Sequence, residues 1–182
     1  MKNFSILLKK ILPIVSYQFF NKEVIVTTLI PFLNITLKIL KNHINFQYKV
    51  LSCVSGVDLI EKSYRFCIVY DLLSLLNNTR IRVKVFTNSV VPLISATKIF
   101  INANWWEREI WDMFGVFFDS HGDLRRLLTD YGFEGHPLRK DFPLFGFFEL
   151  RYNENKKRVV SEPLQLSQEM RNFVFESPWI NL

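Results

Sequence analysis

Cysteine is scarce in this 182-residue chain, and the two present, Cys53 and Cys67, fit neither a CxxC pair nor a metal-ligand spacing. That argues against a disulfide framework, a thiolate zinc site and an iron–sulfur cluster. Both lie in strand-like runs and read as buried free thiols of a reducing compartment. Glycine is also sparse, and the segment Tyr131-Gly-Phe-Glu-Gly-His-Pro137 has neither GxGxxG nor Walker spacing, so no phosphate-cradling loop is in view. The longest charge-free apolar runs, 24–37 and 85–97, are interrupted by Pro31, Asn34 and Pro92. Both fall short of the ~20 residues that a membrane-spanning helix needs. Lys2, Lys9 and Lys10 lead into no apolar core with a cleavage site, and transit-peptide richness in Arg and Ser is missing. The expectation is a chain made where it works. Alanine occurs only at Ala96 and Ala103, while Phe, Ile, Asn and Lys abound, the coding bias of an A+T-rich genome.

What is present is a globular composition, 49% hydrophobic and 15% aromatic, enough for one α/β-sized domain without metal or disulfide support. Net charge is +6, with basic clusters at Arg80/Arg82/Lys84, Arg125/Arg126, Arg139/Lys140 and 156–158. They are dispersed and interrupted by acids, and no RNA-recognition, KH or helix-turn-helix signature accompanies them.

Three of the four tryptophans, two of the three histidines and four of the six glycines fall between Asn104 and Pro143. The stretch Asn104-Trp-Trp-Glu-Arg-Glu-Ile-Trp-Asp-Met-Phe-Gly115 is predicted as a helix. Asn104 serves as N-cap, Glu107 as capping-box carboxylate and Gly115 as left-handed stop. At 100° per residue Trp106, Ile110, Met113 and Phe114 share the apolar arc, and Arg108, Glu109 and Asp112 the opposite one. An Arg108–Asp112 pair is worth only ~0.3–0.5 kcal/mol, against roughly 1.5–3 kcal/mol for each large apolar side chain buried. Packing therefore holds the helix, and the charges have another job. Glu107, at the edge of the apolar face, needs a cationic or amide partner, with Arg125, Arg126, Arg139 and Lys140 nearest in sequence.

Taken in order, residues 4–20 carry a helical stripe that Pro13 kinks or divides. Residues 23–29 read as a strand, and Pro31 with Leu33, Leu37 and Leu40 as a second helix ending near Asn42. Residues 48–57 read as a buried strand with a turn at Gly56. Alternation over 64–73 and 80–87, joined through Asn77-Asn78-Thr79, is the clearest hairpin, its basic row facing water. Residues 147–152 and 158–160 pair across 153–156. The predicted fold class is α+β, a two-layer α/β sandwich with a mixed, largely antiparallel sheet and an extended C-terminal arm. The division expected is 1–128 for the domain and 129–182 for a strap and tail. Phe173, Phe175 and Trp179 in a run without periodicity favour a tail that wraps a partner.

Three sets could carry chemistry. Asp119, His121 and Asp123 alternate as a divalent-metal cluster would, but no fourth ligand stands near and Arg125 and Arg126 repel a cation. Glu107 and His121 could form an acid–base pair, with no nucleophile beside them. Gly132 and Gly135 permit tight turns, while Pro137 and Pro143 hold 138–142 extended like a strap. These residues describe a binding or assembly subunit.

The string Ala103-Asn-Trp-Trp-Glu-Arg-Glu-Ile-Trp-Asp-Met-Phe-Gly115, followed by His121 and Asp123-Leu-Arg-Arg-Leu-Leu128, resembles the signature of one family. That family is the 30-kilodalton subunit of respiratory complex I, NADH:ubiquinone oxidoreductase, known as subunit 9 when a mitochondrial genome encodes it. Leu128-Thr-Asp-Tyr-Gly-Phe-Glu-Gly-His-Pro-Leu-Arg-Lys-Asp-Phe-Pro143 is similar to its second hallmark, and Arg158-Val-Val-Ser-Glu-Pro163 and Phe175-Glu-Ser-Pro-Trp179 to its C-terminal ones. The likeness is near-continuous over 103–179. Gly122, Phe145 and Ser161 depart from the pattern.

The resemblance implies a peripheral subunit on the matrix side of the mitochondrial inner membrane, encoded in a mitochondrial genome. It would bind no redox cofactor or metal and have no catalytic residue or nucleic-acid partner. Its implied partners are the 49-kilodalton quinone-site subunit and nearby iron–sulfur subunits. The motif residues carried over, with docking as their implied role, are Glu107, Arg108, Glu109, Asp112, His121, Arg125 and Arg126. With them come Asp130, Tyr131, Gly132, Phe133, Glu134, Gly135, His136, Pro137, Leu138, Arg139, Lys140, Asp141, Phe142, Pro143 and Trp179. The alternatives are the equivalent subunit of a membrane-bound hydrogenase and a basic RNA-binding mitochondrial protein.

Overall fold

A computed structural model of the chain describes residues 7–8, 10–20, 23–167, 171–175 and Trp179. It divides into two units, Met1–Asp141 and Phe142–Leu182, so residues 129–141 group with the first.

In the first unit five strands form one sheet in the order β1-β2-β5-β4-β3. These are β1 (Ile14–Phe20), β2 (Glu23–Thr28), β3 (Val50–Asp58), β4 (Phe66–Ser74) and β5 (Thr79–Thr87). Only β2 against β5 runs parallel; the other pairs are antiparallel. The mixed, largely antiparallel sheet read from the sequence is what forms. Alternation places Val24 and Val26, Ile81, Val83 and Val85, Ile68, Tyr70 and Leu72, and Leu51 and Val54 on one face. Against it pack helix α1 (Leu33–Asn42), through Leu33, Leu37 and Leu40, and helix α2 (Ala103–Phe114), through Ile110, Met113 and Phe114.

The β4–β5 hairpin turns at Asn78, which takes φ 45° as asparagine tolerates. Arg80, Arg82 and Lys84 point away from the core face, and Arg82 is tied to Asp71 at 2.7 Å and to Glu23 at 3.5 Å.

Two expectations fail near the sheet. Residues 7–8 and 10–11 are helical, but after Pro13 the chain becomes β1, not more helix. Proline ends the helix, and Ile14, Val15, Tyr17, Phe19 and Phe20 suit a strand that β2 can pair with. Nor does the chain turn at Gly56, because β3 runs straight through it. A Cβ there would stand 2.8 Å from the Phe114 ring, so the glycine opens the space in which α2 seats its last aromatic.

A small parallel pair, β6 (Leu93–Ile94) and β7 (Phe118–Asp119), holds the segment before α2 beside the one after it. In the second unit β8 (Phe148–Asn153) and β9 (Arg158–Pro163) form the hairpin predicted across 153–156. Arg151 and Glu162 pair across one of its faces at 2.7 Å. Phe148, Leu150, Tyr152 and Val159 share the other face, all exposed. Residues 176–178 of the last motif, and Lys2 and Lys9, lie outside the described residues.

Candidate functional site: helix α2 and the segment that returns to it

Helix α2 starts two residues earlier than expected, with Asn102 in place of Asn104 at the N-cap and no side-chain cap bond. Glu107 is therefore no capping-box carboxylate. It is fully buried, and none of Arg125, Arg126, Arg139 or Lys140 is its partner. Ser95 Oγ donates to Oε2 at 2.6 Å and the Ala96 amide to Oε1 at 2.7 Å. The β6–β7 pair makes this possible by fixing Ser95, whose amide donates to the Asp119 carbonyl. The same pair delivers His121, whose buried ring lies with Nε2 3.8 Å from Glu107. His121 Nδ1 accepts from the Asp123 amide and Nε2 faces the Asn104 carbonyl at 3.3 Å, a pattern that puts the ring proton on Nε2. Burial pushes the Glu107 carboxyl up to about 7 against the pull of Ser95 and Ala96. The hydroxyl of Tyr70, fully buried, has no hydrogen-bond partner.

Arg108 and Asp112, expected on a solvent arc, are buried, and they do not pair with each other. Asp112 Oδ2 accepts the amides of Leu127 at 3.1 Å, Leu128 at 2.7 Å and Thr129 at 3.0 Å. Its Oδ1 accepts the Thr129 hydroxyl at 2.7 Å and Arg126 at 2.9 Å. Burial alone would raise this carboxyl, but the Thr129 hydroxyl and the three amides outweigh it and hold it well below the usual carboxylate range. Arg108 donates to the carbonyls of Arg125 and Arg126 at 3.2 and 3.3 Å. The polar face of α2 thus serves as the mould for residues 125–129. A helical wheel shows charge on that face but not the loop that comes back to cover it.

From there the chain closes the end of the helix. An α-helix leaves its last four carbonyls without intrahelical donors, and here each finds one. Gly115 N–H donates to Trp111 at 2.9 Å, His136 Nδ1–H to Asp112 at 2.9 Å, Leu138 N–H to Met113 at 3.1 Å and Arg139 Nε–H to Phe114 at 2.6 Å. His136 packs its ring 5.2 Å from Trp111, and burial lowers its pKa. Gly115 sits at φ 73°, and a Cβ there would come within 2.4–2.6 Å of Arg139 and His136. Glycine is required twice, for the left-handed stop and for the approach of the returning chain.

Following three of those carbonyls around a helix end needs turns, so residues 131–142 form a series of them and not the extended strap expected between Pro137 and Pro143. Gly132 and Gly135 supply φ 72° and 94° in it, as read from the sequence. Arg126 bonds the Gly135 carbonyl at 2.9 Å, its guanidinium 5.7 Å from the Trp111 ring and 5.8 Å from that of Phe133. The segment is anchored where β3 ends and β4 begins. Lys140 N–H donates to Asp58 at 2.8 Å, and Arg65 grips Asp58 and Asp141 through both their oxygens. Arg65 holds the Asp58 carboxyl below its ordinary range, the Lys140 amide adding to it. What faces outward is Tyr131, Gly132, Glu134, Leu138 and the Lys140 side chain, with Leu128 and Asp130. Phe142 is half-buried, Pro143 exposed, and Glu109 half-buried on α2.

Among the described residues no group of three His, Cys, Asp or Glu side chains could hold a metal ion. Asp123 instead pairs with Arg125 at 2.9 Å. Residues that sequence reasoning passed over include Ser95, Asp58 and Arg65; only the fold brings Ser95 to Glu107 from 12 positions away, Arg65 to Asp141 from 76 and Asp58 to Lys140 from 82. A close approach of this kind leaves one trace in the sequence, a residue without Cβ, here Gly115 and Gly56.

A family model for the "Respiratory-chain NADH dehydrogenase, 30 Kd subunit" matches residues 32–148. The chain belongs to that family. It is 59% identical over 143 residues to NADH-ubiquinone oxidoreductase subunit 9 of Reclinomonas americana, covering 79% of this chain and 70% of that one. With the mitochondrial NADH dehydrogenase (ubiquinone) iron-sulfur protein 3 of Candida albicans it shares 54% over 145 residues, 79% of this chain and 52% of that one. Among solved structures it resembles a chain of the membrane-bound sulfane sulfur reductase, an archaeal respiratory membrane complex. The TM-score is 0.66 at 21% identity, over 79% of this chain and 87% of that one, a likeness of fold alone. In this member of the 30 Kd family, the side chains of Glu107, Arg108, Asp112, Arg126, His136 and Arg139 bond the chain's own loops and helix end.

Proposed function

We propose that this chain is a non-catalytic docking subunit of NADH:ubiquinone oxidoreductase, working in its peripheral arm on the matrix side of the mitochondrial inner membrane. Electrons from NADH to ubiquinone pass through neighbouring subunits, and this one holds their geometry. Its nearest neighbours are the 49-kilodalton quinone-site subunit and iron–sulfur subunits, with residues from 142 onward reaching across them. One observation carries the reading: the carboxylates and the histidine at the heart of α2 are buried and held by the chain's own donors and acceptors, so they present no nucleophile, acid or base to a substrate. Glu107, Asp112 and the His121 ring have no exposed surface. What the chain offers outward is apolar, above all Phe148, Leu150, Tyr152 and Val159 on one face of the β8–β9 hairpin. Covering each would contribute roughly 1.5–3 kcal/mol, and a two-stranded hairpin is at best marginal alone. The RNA-binding alternative loses its main support because Arg82, centre of the basic row, is neutralised by Asp71 and Glu23.

Native electrophoresis of mildly solubilised membranes tests this. The chain is expected to migrate with a very large complex carrying NADH dehydrogenase activity, while the purified chain has no visible absorbance and no turnover. Migration as a free monomer, or a coloured centre in the isolated chain, defeats the reading.

A further inference from the structure

Where β1 begins and β2 and β5 end, an apolar groove of about 540 Å3 is lined by Val15, Thr27, Leu29, Ile30, Lys62 and Phe86 among others. That volume lies within the range of sites that receive a ligand or an anchoring side chain. No aspartate or glutamate lines it. Its one charge is the Lys62 ammonium, 5.7 Å over the Phe86 ring, with no carboxylate partner among the described residues. The groove opens beside the last strand of the sheet. Val15 and Phe20 are 61% and 65% exposed, and the strand IVSYQFF contains no charge, proline or glycine. A register shift between Ile14 and Ser16 leaves Val15 out of the pairing and in the groove wall. Edge strands that stay in water are blunted by charge, proline, bulges or a covering segment; from Ser16 to Phe20, past the shift, this one has no charge or proline and pairs with β2 in unbroken register.

We propose that the outer side of β1 and the adjoining groove receive an extended apolar segment bearing a carboxylate, contributed by another protein subunit of the complex. This rests on the docking-subunit reading above. An extended peptide bonds to a strand edge through its main chain, seats alternate side chains in a neighbouring groove and sets its acid against Lys62. An acyl chain has no groups to offer the strand edge. A second copy of this chain would bring the same uncharged β1, with no acid for Lys62, and a like net charge of +6.

The test uses the intact complex, treated with a carbodiimide that joins an amine only to a carboxylate already touching it, then digested for mass spectrometry. Lys62 is expected in an amide link to an aspartate or glutamate of another subunit, within an apolar peptide. Its acetylation by an amine-reactive ester should be at least about tenfold slower in the complex than in the isolated full chain. Equal acetylation rates in the two, a link to a second copy of this chain, or protection that disappears on delipidation each overturn the proposal. If the chain migrates with the complex while Lys62 stays open, this inference alone fails. If it does not migrate with the complex, the docking-subunit reading fails first.

Discussion

Helix α2 holds two carboxylates with no exposed surface, one in each half, and they are treated in opposite ways. Glu107 receives one hydroxyl and one amide and lies beside a histidine, and burial pushes it up to about 7. Asp112 receives three amides, a hydroxyl and a guanidinium, and stays ionised far below the usual range. The second sits near the helix C-terminus, where the macrodipole disfavours negative charge, so the dipole loses to the count of donors. Two neutral donors do not replace the water a carboxylate gives up; five donors, one of them cationic, do. Asp112 is therefore a permanent anion around which residues 126–129 are wrapped, while Glu107 exchanges a proton near neutrality without letting go of Ser95 or Ala96.

Breaking the comparison at its stronger end should cost most. Asp112→Ala leaves three amides and Arg126 without their acceptor, and a loss of roughly 3–5 kcal/mol is expected in urea unfolding of the full chain. Proteolysis between 125 and 141 should accelerate with it. A midpoint unchanged from wild type would mean that the loop does not depend on this anion. At the weaker end, the folded-state pKa of Glu107 lies above its ordinary 4.5. Stability contributed by the protonated form is complete below about pH 4.5 and is lost as pH rises through about 7. Between those two values the loss amounts to roughly 3 kcal/mol. Glu107→Gln keeps the acceptor for Ala96 and turns an amide toward Ser95, so it should match wild type near pH 5 and exceed it at pH 8. Parallel stability–pH curves for the two proteins would refute that.

Gly115→Ala tests the closure of the helix end. The left-handed φ and the approach of His136 and Arg139 together should cost about 2 kcal/mol, with faster cleavage in 135–141 as the second readout. Arg108→Gln removes two bonds to loop carbonyls and is expected to cost about 1 kcal/mol. Least of all, Asp123→Asn should leave the unfolding midpoint where it was, since its pair with Arg125 lies in water.

The β4–β5 hairpin and α2 were legible because period-2 alternation and the 3.6-residue stripe are local signals that tertiary packing here reinforces. Residues 4–20 misled because a helical stripe in Phe, Ile and Leu can also be read as a strand once Pro13 has ended the helix. The candidate site was half legible. Glu107 was recognisable as a carboxylate in need of a partner, and the motif around it marked the right helix. Its partner was misjudged because the nearest cations in sequence are used elsewhere: Arg126 on Asp112, Arg139 on the Phe114 carbonyl. No wheel or spacing rule reports that a helix's charged face will be covered by its own downstream loop.

By itself the sequence determined the class of fold, the positions of the principal helix and hairpin, and the family, because each is written in residue types at short spacing. The tertiary structure alone decided which charges face water and which are buried. That depends on where residues 125–141 go after Gly115, and they go wherever three unpaired helix carbonyls and one buried aspartate can be supplied with donors.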